Sequence, residues 1–180
     1  MAIYHLNFAP QKALAAVQLM LERAGTRSPD LHTVLKTCYF ADVEHLNAYG
    51  SPVFGASYRA MRYGPVPVQI YEMLKREPYW LPELGQDDYP WRLEGIRVRR
   101  SGNEEPAMDH LSSSDREVIL NAFEHARSMD FDQRTAATHG PDWQKAQLGW
   151  IDYRDMIRDD NPNREEIIED LEEMGHRLAL

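Results

Sequence analysis

Apolar residues recur at spacings of three and four along most of this chain, which is the helical period. Leu14, Val17, Leu21 and Ala24 follow it, with Pro10 in a first-turn position and Gly25 just past the last periodic residue. A second stripe takes Leu31, Val34, Leu35, Cys38, Tyr39, Leu46 and Tyr49. Ser28 before Pro29 is its expected N-cap and Gly50 its expected stop. The period breaks over 51–63, where Val53, Phe54, Tyr58 and Tyr63 stand among glycine and proline, so one or two short strands are predicted. Gly64-Pro65-Val66-Pro67 reads as a rigid turn, because proline fixes φ and restricts the residue before it. Helical spacing then returns to about Arg76, with Ile70, Tyr71 and Leu74 inward.

The segment 77–90 holds three prolines with Tyr79, Trp80 and Tyr89, and predicts a loop whose aromatics cover the core. Residues 91–100 predict one strand through Ile96 and Val98, with Arg97, Arg99 and Arg100 outside. Ser114-Asp115-Arg116-Glu117 has the form of a capping box for a helix that buries Val118, Ala122, Phe123 and Ala126. A short helix is expected over 132–138. Two acidic helices follow, around 152–158 and 164–178. The pattern as a whole predicts a mainly α-helical α+β fold with a small antiparallel β-hairpin or sheet. One domain over 1–180 is the simplest division at this length.

Composition narrows the classes. The chain is 43% hydrophobic and 27% charged, as a soluble globular chain is. Cys38 is the single cysteine, so no internal disulfide framework exists, and a reducing compartment is expected. The first residues lack the basic and apolar regions of a signal peptide, and no apolar run is long enough to span a bilayer. A cytoplasmic protein is the expectation. The net charge is −9, and residues 151–180 carry −6 of it through ten acids and four arginines. Such a surface disfavours nucleic acid and membrane phosphates, and would suit a basic protein partner if it is more than a solvated helical face. The terminal Arg177-Leu178-Ala179-Leu180 is a short apolar end, expected to dock on the domain rather than to be read by an unfoldase.

Asp42 is the most unusual position. At 100° per residue it falls within the apolar stripe of Leu31, Leu35, Cys38 and Leu46. A buried carboxylate needs a partner or a proton. His45 is one turn on, and Tyr58, Arg62, Tyr63 and His139 are the outside candidates. Two readings follow. One is a structural polar brace of Asp42, His45, Tyr58 and His139, favoured because satisfied polar networks commonly specify packing. The other is a carboxylate–imidazole pair, with Asp42, His45 and His139 as ligands of a small metal-dependent hydrolase. None of the seven histidines forms a paired metal motif, so no cofactor or metal is assigned. Cys38 on an apolar face behaves as a small hydrophobe, and neither a nucleophile elbow nor a phosphate-binding glycine loop is present. Arg59, Met61, Arg62 and Tyr63 beside the stiff Pro65, Val66 and Pro67 form a candidate partner-binding surface, since such residue types are enriched at interfaces.

The residues 36–74 also carry a resemblance. They contain Tyr39-Phe40-Ala41-Asp42, the pair His45-Leu46, Tyr49-Gly50-Ser51-Pro52, Tyr58-Arg59-Ala60 and Tyr63-Gly64-Pro65-Val66-Pro67, in that order. This order resembles the Panacea domain of SocA-like antitoxins. The likeness is densest over 31–74 and continues more weakly to Trp143, where Thr138-His139 and Trp143 match a common ending. The resemblance implies a non-enzymatic antitoxin, phage-associated in some relatives, that neutralises a cognate toxin by direct contact. In the name-giving member it implies a proteolytic adaptor that presents the toxin to ClpXP, so Clp protease is a second partner under that version.

Overall fold

Helix-forming periods dominate the sequence, and the computed structural model, which describes residues 5–178, is accordingly mainly helical with two small antiparallel sheets. Helix α1 (Pro10–Ala24) begins at the expected proline and ends at Gly25. Helix α2 (Leu31–Tyr49) is capped by Asp30, whose side chain accepts the Thr33 N–H at 2.7 Å. Ser28 is therefore not the cap. The carboxylate two residues later wins: Asp30 has the extended conformation a cap requires, at φ −78° and ψ 162°. Gly50 closes the helix in the left-handed conformation, as expected. Tyr49 is 56% exposed and lies outside the buried stripe.

Strands β1 (Tyr58–Met61) and β2 (Gly64–Pro67) form a hairpin in the register Tyr58 to Pro67 and Met61 to Gly64. The proline-rich piece is thus a strand, not a turn, and the turn is Arg62-Tyr63. Prolines are tolerated because, among the described residues, no strand pairs with the other side of β2. The far edge of β1 is covered by residues near Trp150: Ala60 N–H donates to Gly149 O at 2.8 Å, and Ile151 N–H to Tyr58 O at 2.9 Å. Helix α3 (Val68–Leu74) follows directly, buries Ile70 and Leu74 and leaves Tyr71 half-buried.

A 3₁₀ turn over Pro78–Trp80 and the short α4 (Leu81–Leu84) occupy the predicted loop. Tyr89 and Trp91 are buried there, as core cover should be, whereas Tyr79 is exposed. The single strand expected over 91–100 is a second hairpin, β3 (Trp91–Glu94) and β4 (Arg97–Arg100), joined by Gly95-Ile96. Gly95 at φ +61° makes the two-residue turn possible and throws Ile96 outward, 70% exposed.

Helix α5 (Ser113–Arg127) packs extensively along α2. Its capping box starts at Ser112, two residues before the expected one: the Ser112 hydroxyl accepts the Asp115 N–H, and Asp115 accepts the Ser112 N–H. Helices α6 (Phe131–Ala137) and α7 (Pro141–Ala146) come next. A 3₁₀ turn (Tyr153–Met156) replaces the first acidic helix, and α8 (Arg164–Leu178) is the second. The expected docking of the terminal residues falls on side chains from 176 onward, outside the described residues. Among the described residues no helix is long and apolar enough to cross a membrane.

Candidate functional site

Asp42 is fully buried, as its place on the helical wheel demands. Its Oδ1 accepts the N–H groups of Val53 and Phe54 at 2.7 and 2.9 Å, and its Oδ2 accepts the Tyr58 hydroxyl at 2.8 Å. The carboxyl therefore ties α2 to the segment after it and to β1. Burial pushes its pKa up to about 7, against hydrogen bonds from Phe54, Tyr58 and Val53 that pull it down. Tyr153 completes the cluster from the far end of the chain, its hydroxyl donating to Ala56 O.

The remaining residues of the expected polar group stand elsewhere. His45 faces the start of α5: its Nδ1 lies at hydrogen-bond distance from Ser51 O, its Nε2 is 3.0 Å from Ser114 Oγ, and Asp115 Oδ1 is 3.3 Å away. Lys12 of α1 reaches the same Asp115 at 2.9 Å. Burial pushes the Asp115 carboxyl up, but the Ser112 N–H and Lys12 outweigh it and hold the pKa below the ordinary value. His139 stacks flat on Trp143, ring centres 3.7 Å apart. Arg62 and Tyr63 are exposed at the hairpin turn and are not among the hydrogen-bond partners of the buried Asp42. The fold thus unites Asp42 with Tyr58 and leaves His45 and His139 apart from them, so the trio named for metal chemistry is not assembled. Among the described residues no group of three or more His, Cys, Asp or Glu side chains stands where it could hold a metal ion.

An apolar groove of about 520 Å³ lies between the first turns of α2, the β1–β2 hairpin, the β3–β4 turn and α6. Four large apolar side chains exposed to solvent rim it: Met61, Tyr63, Ile96 and Phe131. Leu31, Leu35, Val66 and Tyr71 line it as well. The rim is stiffened by ring contacts, with Phe131 5.1 Å from Tyr63 and 4.3 Å from His32. Arg62 lies over the Tyr63 ring at 5.2 Å.

Its floor is built from basic side chains. Lys36 is 1% exposed and donates to Pro65 O at 2.7 Å. Burial, with Arg134 nearby, lowers its pKa to about 7. Arg134 is buried too; its Nε donates to His32 Nδ1 at 3.1 Å, and its Nη2 is 3.4 Å from Asp30 Oδ2. Since His32 Nδ1 accepts, its Nε2 carries the proton and donates to Tyr63 O at 3.2 Å. Burial, with Lys36 next, lowers the His32 pKa to about 4, so this ring is neutral near pH 7.

The sequence-derived partner surface is split by this geometry. Met61, Arg62, Tyr63 and Val66 line the groove. Pro65 and Pro67 are buried, and Pro65 serves through its carbonyl. Arg59 is exposed on the opposite edge, over the Trp150 ring at 5.6 Å. The sequence reading missed His32, Lys36, Ile96, Phe131 and Arg134. The one local signal for them was the lysine beside Leu35 in an otherwise apolar stretch.

The family described as antitoxin SocA-like, Panacea domain matches residues 34–144. That is more than half of the chain, running from within α2 into α7, and the chain belongs to this family. Comparison with curated proteins and with solved structures finds no match.

Proposed function

We propose that this chain is the antitoxin of a toxin–antitoxin pair, and that it neutralises a cognate protein toxin in the cytoplasm by direct, non-enzymatic binding. The observation that carries this reading is membership of the SocA-like family over 34–144, a span that includes both hairpins and the rim of the groove. The groove supports it further. Monomeric proteins seldom leave four large apolar side chains around one recess unless something covers them. The hydrogen-bonded carboxyl of Asp42 and the scattered imidazoles argue for packing roles rather than for turnover. We assign Asp42 with Tyr58 as one structural brace and His45 with Asp115 as another. The contact surface is Met61, Arg62, Tyr63 and Val66 with Ile96 and Phe131.

The test is growth on induction of the neighbouring open reading frame, with and without this protein. Rescue from a toxic neighbour is the expected result, and failure to rescue any toxic neighbour contradicts the reading. Rescue confined to cells with Clp protease would assign the adaptor role instead of masking.

A further inference from the structure

The apolar groove continues into a second cleft of about 400 Å³, and Asp30 and Arg134 belong to both walls. Besides Arg134, Arg23, Arg27, Arg97 and Arg127 line this cleft, brought in from the end of α1, the loop after it, β4 and the end of α5. Among the described residues, the acids within ion-pair reach are two. Asp30 serves Arg134, and Glu124 serves Arg127 at 3.0 Å and Arg23 at 3.8 Å. The carbonyl end of α5 adds partial negative charge and takes hydrogen bonds from Arg134 at Ala126 O and Met129 O. These features account for Arg23, Arg127 and Arg134. They leave Arg27 and Arg97 with no carboxylate partner among the described residues, and Arg97 only donates to Ser28 O at 2.8 Å. Arg62, exposed at the groove, likewise has no carboxylate partner among the described residues and lies over the Tyr63 ring. A chain of net charge −9 has thus placed exposed arginines without carboxylate partners next to four exposed large apolar side chains.

We propose that groove and cleft form one docking surface for a partner segment in which bulky apolar side chains are followed by several carboxylates. This rests on the antitoxin reading only in assigning that segment to the toxin. The apolar side chains fill the recess between Met61, Tyr63, Ile96 and Phe131, where contact area and rigid rings favour binding. The carboxylates lie across Arg27 and Arg97, whose planar guanidinium groups match them with paired hydrogen bonds. Charge complementarity selects this occupant over a basic or purely apolar segment. No described residue of the acidic helix α8 lines either recess.

The test uses purified full-length protein and fluorescent peptides of about 12 residues sharing one apolar block of Leu, Ile and Phe. One carries a following run of Asp and Glu, the other a run of Lys. A single-stranded oligonucleotide is the third probe. The acidic peptide should bind at least about tenfold tighter than the lysine peptide, with the preference shrinking as salt rises. Ile96→Asp with Phe131→Asp should lose about tenfold in affinity for it, and so should Arg27→Glu with Arg97→Glu. All four positions are exposed, so unchanged melting temperatures separate lost binding from lost folding. Equal binding of the two peptides, binding of neither, indifference to both double variants, or binding of the oligonucleotide alone would overturn the proposal. No toxin enters this experiment, so its failure leaves the antitoxin reading standing, and failure of the growth rescue leaves this surface standing.

Discussion

Two ionisable side chains sit in the interior for different reasons. Asp42 satisfies two backbone N–H groups and a tyrosine hydroxyl. Removing it orphans all three donors, so Asp42→Ala should cost about 3 kcal/mol in denaturant unfolding. Asp42→Asn keeps one acceptor and should cost less. Equal, near-zero effects would contradict the brace. Its carboxyl is raised to about 7, so between about pH 4 and 7 the folded chain holds more protons than the unfolded one. The stability contribution of Asp42 therefore falls as pH rises through that window. Lys36 behaves oppositely. Its pKa drops to about 7, so above that value the unfolded chain carries the extra proton and stability from this group rises toward pH 10.5. Lys36→Met should fold, and its stability advantage over wild type should shrink between about pH 7 and 9; a constant difference would contradict the buried ammonium. Asp42 was legible in the sequence because a carboxylate on an apolar stripe conflicts with the pattern. Lys36 was not, because a lysine beside such a stripe ordinarily extends its ammonium to water.

Elements here are defined by caps and close approaches. Gly64 sits at φ +102°, and a Cβ there would come 2.4 Å from Thr138 Oγ1 and 2.9 Å from Lys36 Cε. Gly64→Ala should destabilise by about 2–4 kcal/mol, combining backbone strain with overpacking. A loss under about 1 kcal/mol would show that the hairpin does not rest on α2 in this way. The run Ser112-Ser113-Ser114-Asp115 offers several capping registers to a reader of sequence. Position 112 wins because Asp115 is then also placed for Lys12. Ser112→Ala should cost about 1 kcal/mol, and Ser114→Ala, which loses only its contacts with His45 and Ser112, should cost less. The second hairpin was hidden for a similar reason. Ile96 and Val98 alternate as a strand would, but a two-residue turn at Gly95-Ile96 reverses the chain between Glu94 and Arg97.

For the whole molecule, the family was readable because its motif consists of backbone determinants clustered within 36–74. The groove was not readable, because His32, Tyr63, Ile96 and Phe131 meet only after folding. The arginine cleft was not readable either, because Arg23, Arg27, Arg97 and Arg127 come from separate elements and line one recess only after folding. In growth assays with a toxic neighbour, Ile96→Asp with Phe131→Asp should abolish rescue while leaving the melting temperature within a few degrees of wild type. Retained rescue would place the toxin contact elsewhere.

Neutralisation by masking requires a stable complex that needs no protease. The most direct measurement is purification of tagged protein from Clp-deficient cells that also express the neighbouring toxin, with the mass of the eluted species determined by light scattering. A single stoichiometric complex holding full-length, inactive toxin is the expected result. Recovery of this protein alone, from cells it has nonetheless protected, would contradict direct binding.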